Sequence, residues 1–188
     1  GAIIWSGKQV LATRGAPLGD CVRTDTHIAT LIQTTDPHLP EITGRGVDET
    51  TSISILLIPR DGTSPGLVPV LSGGSPTALS LARIMGSDGH TIWFDAAGVY
   101  GVRLADHTVI TVQDLRKANP SLDPNWWEDP RGMDVQGGRL HVMRIDRSAA
   151  VEVEPSDLVA VSVPPRPSNE RFYKVAVTEM LAAGFCAA

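Results

Sequence analysis

Between residues 123 and 134 the chain reads DPNWWEDPRGMD, two adjacent tryptophans set among acids and prolines. Side chains of this kind bind sugars: an indole covers the apolar face of a pyranose, while carboxylates and amides take its hydroxyls. Trp126 and Trp127, with Asp123, Asn125, Glu128 and Asp129, are therefore the candidate binding residues. The alternative for the same pair is a latch, with both rings packed under their own loop. Adjacent side chains of a strand point to opposite faces, so both rings can share one environment only if the segment is not a strand. The same acids together with Asp134 offer oxygens to Ca²⁺, but their spacing does not follow the D-x-D-x-D-G loop of a calcium site. No metal and no cofactor is expected.

Cys21 and five histidines, at 27, 38, 90, 107 and 141, are the raw material of a thiol hydrolase. That chemistry needs a thiolate beside an imidazole that a third group, such as Asn125 or Asp95, orients. No helix starts at Cys21 to lower its pKa. No two histidines stand four apart, as a helical zinc site would require. The chain has two cysteines, Cys21 and Cys186. In an oxidising compartment they would form one bridge between the two ends of the chain; in a reducing one they would be buried thiols. A glycine-rich stretch, SGGSPTALSLARIM, follows a strand-like segment and aims backbone N–H groups forward, but it matches neither phosphate-binding glycine pattern.

The 188 residues are 42% hydrophobic and 20% charged, a globular composition with a net charge of -5. That charge argues against a nucleic-acid partner or an anionic lipid surface. Arg139, Arg144 and Arg147 form the closest basic grouping and read as a solvated strand face. No apolar run reaches the length of a membrane span, and no basic segment leads into an apolar one at the start.

The elements that must carry these residues are mostly strands. Ile3–Trp5 and Gln9–Thr13 read as a hairpin, Thr26–Thr34 as a strand or short helix, and residues 35–51 as a loop. Ile53–Ile58 and Leu67–Leu71 form a second hairpin through Asp61-Gly62. Ser75, with Pro76 behind it, caps a short helix that ends at Gly86. Strands follow at Thr91–Asp95, Gly98–Leu104 and Val109–Val112, then at Arg139–Arg144, Ala149–Glu154 and Leu158–Val163. A helical turn spans Val112–Asn119. Ser168 caps a closing amphipathic helix that Gly184 ends. The expected fold is mainly β, antiparallel meander sheets over residues 1–166, with residues 167–188 as a helix packed on it.

Two stretches resemble each other at an offset of roughly fifty residues, DGHTIWFDAAGVYGVRLADHTVITV and QGGRLHVMRIDRSAAVEVEPSDLVAVSV. A period of about 40–50 residues with several short strands suits a propeller blade. Units 86–112 and 137–163 would then stack and hide each other's apolar faces. DGHTIWFDAAGVYGVRLA and GGRLHVMRIDRSAAVEVEP, within residues 86–163, resemble the blades of bacterial periplasmic or lipoprotein propeller-like repeat proteins. The resemblance implies propeller-like blades, an exported or lipoprotein ectodomain, and no catalytic residues. The first half does not repeat in the same way, and seven blades do not fit in 188 residues. A four-blade ring, a β-sandwich or a part of a larger chain or assembly stay open. The expected role is a non-catalytic binding or scaffold module that presents loops, 120–135 among them, to a protein or carbohydrate. The alternative is a small hydrolase using Cys21 or the acids of 123–134.

Overall fold

The computed structural model describes residues 3–6, 9–12, 16–35, 51–72, 82–96, 98–128, 132–144 and 146–165. The expected helix over 167–188 lies outside them. No helix among the described residues is long and apolar enough to cross a membrane.

The chain is mainly β. A hairpin of β1 (Ile3–Ser6) and β2 (Gln9–Ala12) comes first. Three four-stranded antiparallel sheets follow, each a plain meander in chain order. Sheet I is β3 (Ala16–Arg23), β4 (His27–Thr35), β5 (Thr51–Pro59) and β6 (Gly66–Ser72). Sheet II is β7 (Arg83–Ser87), β8 (Thr91–Asp95), β9 (Val99–Arg103) and β10 (Val109–Ile110). Sheet III is β11 (Gly132–Gln136), β12 (Arg139–Met143), β13 (Ala150–Val153) and β14 (Ala160–Val163). Between sheets II and III run two short helices, α1 (Val112–Ala118) and α2 (Asn125–Glu128). None of the three sheets closes on itself.

Strand alternation explains how the sheets pack. In β8, Ile92 and Phe94 point to one face and Trp93 to the other, and all three are 0% exposed. Ile92 and Phe94 join Ala29, Leu31, Ile55 and Leu57 of sheet I in one apolar cluster. Trp93 joins Leu140, Val142, Val151 and Val153 of sheet III, with α1 and α2, in a second. Sheet II therefore lies between the other two, and its two faces serve two cores. Each large side chain so buried contributes about 1.5–3 kcal/mol. The first strands of the sheets also meet: β7 touches both β3 and β11.

Several expectations change. Arg83–Ser87 is a strand, where a helix capped by Ser75 and ending at Gly86 was expected; residues 75–81 of that expectation lie outside the described set. Gly86 sits at a register shift against β8 with φ +144°, a bulge that glycine makes easy. The expected loop over 120–135 contains α2 and the start of β11, whose Met133 and Val135 oppose Val142 and Leu140. Each of sheets II and III thus gains a first strand that lies before the stretch compared in the sequence, at Arg83 and at Gly132. The hairpin at the start, β4, β5–β6 and the helical turn at Val112 stand where the sequence placed them.

Candidate functional site

In a meander, alternate turns fall at the same end. Within each sheet this groups β3–β4 with β5–β6, β7–β8 with β9–β10, and β11–β12 with β13–β14; residues of five of these turns line common space. Their local chemistry repeats. Asp61 Oδ1 accepts the N–H of Thr63 at 2.9 Å, Asp106 Oδ1 that of Thr108 at 2.9 Å, and Asp157 Oδ1 that of Val159 at 2.9 Å. In each case the residue between, Gly62, His107 or Leu158, has a positive φ of 85°, 59° or 63°. A short Asp side chain substitutes for a backbone acceptor and lets the following residue turn left-handed. For His107 and Leu158 that conformation costs roughly 1–2 kcal/mol each, which the hairpins sustain.

A groove of about 730 Å³ opens at this end, lined by Thr26, His27, Arg60, Asp61, Ser64 and His107, among others. A second lobe of about 340 Å³ shares Thr26 and His27 and continues over His90, Arg103, Ala105 and Pro155. Side chains of all three sheets line the two lobes together.

Hydrogen bonds fix the walls. Thr24 Oγ1 accepts the N–H of His27 at 2.9 Å and donates to its carbonyl at 3.1 Å, which closes the β3–β4 turn. Arg60 Nη1 donates to the carbonyls of Thr24 and Asp25, both at 3.2 Å, and so ties the β5–β6 turn to the β3–β4 turn. His27 Nδ1 lies 2.9 Å from Thr26 Oγ1. The ring of His107 reaches across from sheet II to sheet I: a β-carbon on Gly66 would stand 3.9 Å from its Cε1.

The electrostatics follow from that crossing. Burial holds His27 below its ordinary pKa of 6.5; the neighbouring His107 lowers it further, and Asp61 opposes both. The Thr63 backbone and hydroxyl hold the Asp61 carboxyl below its ordinary range, with His27 adding to the effect. Next in sequence to the second lobe's Gly89, Asp88 is occupied. Its Oδ1 accepts the N–H groups of His90 and Thr91 at 2.8 and 2.7 Å, and its Oδ2 accepts Trp93 Nε1–H at 2.7 Å.

The residues singled out from the sequence lie elsewhere. Trp127 is 0% exposed and Trp126 9%, both in the core between sheets II and III, so neither ring presents a face to a sugar. They sit on a helical turn, which lets two neighbours enter one core. Asp123 Oδ1 accepts the Asn125 N–H at 3.0 Å, and Glu128 pairs with Arg116 at 2.8 Å, a structural use of both acids. Asp129 lies outside the described residues. Asp134 is on β11, opposite His141. Cys21 is disulfide-bonded, so it has no thiol to act as a nucleophile; Cys186 lies outside the described residues. Among the described residues, no group of three or more His, Cys, Asp or Glu side chains is placed to hold a metal ion. Arg139 pairs with Glu154 at 3.0 Å and Arg144 with Asp146 at 3.6 Å, on the surface of sheet III.

Family models, curated proteins and solved structures contain no match to this chain. The site therefore rests on its own geometry. Sequence reading missed the groove because its residues come from five separate turns. The recurrence of Asp-x-Thr or Asp-x-Val at 61, 106 and 157 does not single out this end, because Asp146 makes the same turn with Ser148, with Arg147 at φ 58°, between β12 and β13.

Proposed function

We propose that the chain is a non-catalytic, exported module of propeller-like kind that binds a partner through the loops at one end of its sheets. The observation that carries this reading is the gathering of turns from three sheets around two open pockets that meet at Thr26 and His27. Binding sites favour such loop clusters, because a rigid sheet scaffold can hold variable loops in fixed relation. The blade-like character is supported by three four-stranded meanders packed face to face with their first strands together. Export is supported by the disulfide at Cys21, since such bonds persist in oxidising compartments. No nucleophile–base pair stands out in the groove, and its charged groups hold the turns or line the walls.

The test is a binding screen on peptide and glycan arrays with loop-end variants. Ser64→Arg and Ala105→Arg place bulky cations at exposed groove positions. They should lower capture of the partner at least tenfold, whereas Gln113→Arg on the exposed side of α1 should leave it unchanged. Equal capture by all three variants would place the binding surface elsewhere.

A further inference from the structure

The outer face of sheet I is buried, and neither core accounts for it. Register places Cys21, Thr30 and Leu56 side by side on one face of β3, β4 and β5, with Ile32 and Ser54 next along. The opposite face carries Val22, Ala29, Leu31 and Leu57 and packs on sheet II. Ile32, Ser54 and Leu56 belong to neither apolar cluster, yet all three are buried. Sheet III repeats the pattern. His141, Met143 and Ala150 lie on the face turned away from sheet II, outside both clusters, and are buried as well.

On both faces the burial stops short of the fourth strand. Leu67 on β6, opposite Leu56, is 50% exposed, and Val161 on β14, opposite Glu152, is 56% exposed. What covers the two faces reaches the inner strands and leaves the outer edges to solvent. An uncovered antiparallel face would carry polar side chains, as it would meet water.

Cys21 points to the segment responsible. It stands on the covered face and is disulfide-bonded, and the other cysteine of the chain is Cys186. A disulfide holds its two Cα atoms within about 7 Å, so residue 186 belongs against the outer face of sheet I. The chain leaves sheet III at Val163, on the far side of sheet II. The 22 residues between Val163 and Cys186 span at most roughly 75 Å, ample to pass around the open side. They include Phe172, Val175, Val177, Met180 and Leu181, apolar surface to set against Ile32 and Leu56.

We propose that residues 166–186 are the cover: the tail crosses from sheet III to the outer face of sheet I and is clasped to β3 by a Cys21–Cys186 bridge. This is independent of the loop-end reading, and its failure leaves that reading untouched.

The three lysines of the chain are native probes: Lys8 between β1 and β2, Lys117 on α1 and Lys174 in the tail. A short amine-reactive photo-crosslinker is applied to the full, oxidised chain, and its products are mapped by mass spectrometry. Lys174 should insert into β4 and β5, and Lys117 should not. A dithiol, which takes the bridge to two thiols and is itself oxidised to a disulfide, should lower that yield about tenfold, because the freed tail loses effective concentration at the face. Hydroxyl-radical labelling should then rise at Ile32 and Leu56 and stay low at Leu31 and Ile55 on the inner face. Insertion from Lys8 without Lys174 gives the cover to the first hairpin, and products joining isotopically distinct copies give it to a second molecule; either overturns the proposal. A yield indifferent to reduction, or labelling that rises equally on both faces, overturns the clasp.

Discussion

Gly101 shows how tightly single residues govern the packing between sheets II and III. It lies directly across from Trp93, and a β-carbon there would stand 2.9 Å from both Trp93 Cε3 and Thr91 Cγ2. Gly101→Ala should cost about 1–3 kcal/mol, because the indole is wedged in a filled core and has nowhere to retreat. Urea unfolding would read this as a lower midpoint at unchanged slope. His27 makes a second prediction at this scale. Its native pKa lies below 6.5, so the unfolded chain binds more protons there, and stability falls as the pH drops through and below the ordinary histidine range. His27→Gln should flatten the stability profile between about pH 7 and 5, and an unchanged slope would show that the imidazole is as free as in the unfolded chain. None of this was visible in the sequence, where Gly101 is an ordinary glycine and His27 one histidine of five. The indoles at 126 and 127 were legible only as a pair. Whether they face a ligand or a core depends on whether the segment turns as a helix, and four residues carry too little periodicity to decide that.

Asn119 joins elements that no local pattern connects. It ends α1, its Nδ2 donates to the carbonyls of Leu115 and Leu158 at 2.9 and 2.8 Å, and its Oδ1 accepts the N–H of Ala160 at 2.7 Å. The buried amide thus acts as an added rung on the outer edge of sheet III. Asn119→Ala removes the side-chain partner of the Leu158 carbonyl and the Ala160 N–H, while the residue 119 N–H still bonds the Leu115 carbonyl, and should cost about 1–3 kcal/mol. Hydrogen exchange would locate the effect, with the Ala160 amide losing protection before the amides of β12. The strands that were legible are those with clean alternation, such as Val151-Glu152-Val153, or with a long apolar run, such as Ile53–Ile58. Those that were missed have a reason. β7 contains the Gly86 bulge, which breaks its period, and β11 offers only Met133 and Val135 between glycine and the next turn. The start of α1 is fixed by a capping box, in which Thr111 and Asp114 bond each other's backbone N–H groups.

At the scale of the molecule, the similarity of two stretches was readable while their surroundings were not. A blade cannot bury its own faces, so two similar stretches implied contact. Sheets II and III do share a core, and sheet II shares another with sheet I, whose sequence bears little likeness to either. The loop-end groove accompanies that stacking, with turns of all three sheets lining it. Pulsed electron resonance between spin labels at Ser64, Ala105 and Ser156, one exposed turn residue from each sheet, tests it directly. The 64–105 and 105–156 distances should each be shorter than 64–156, and a label at Gln113 should lie farther from Ser64 than Ala105 does. A 64–156 distance shorter than the other two, or a Gln113 label nearer to Ser64 than Ala105, would contradict the stacked order and remove the groove with it.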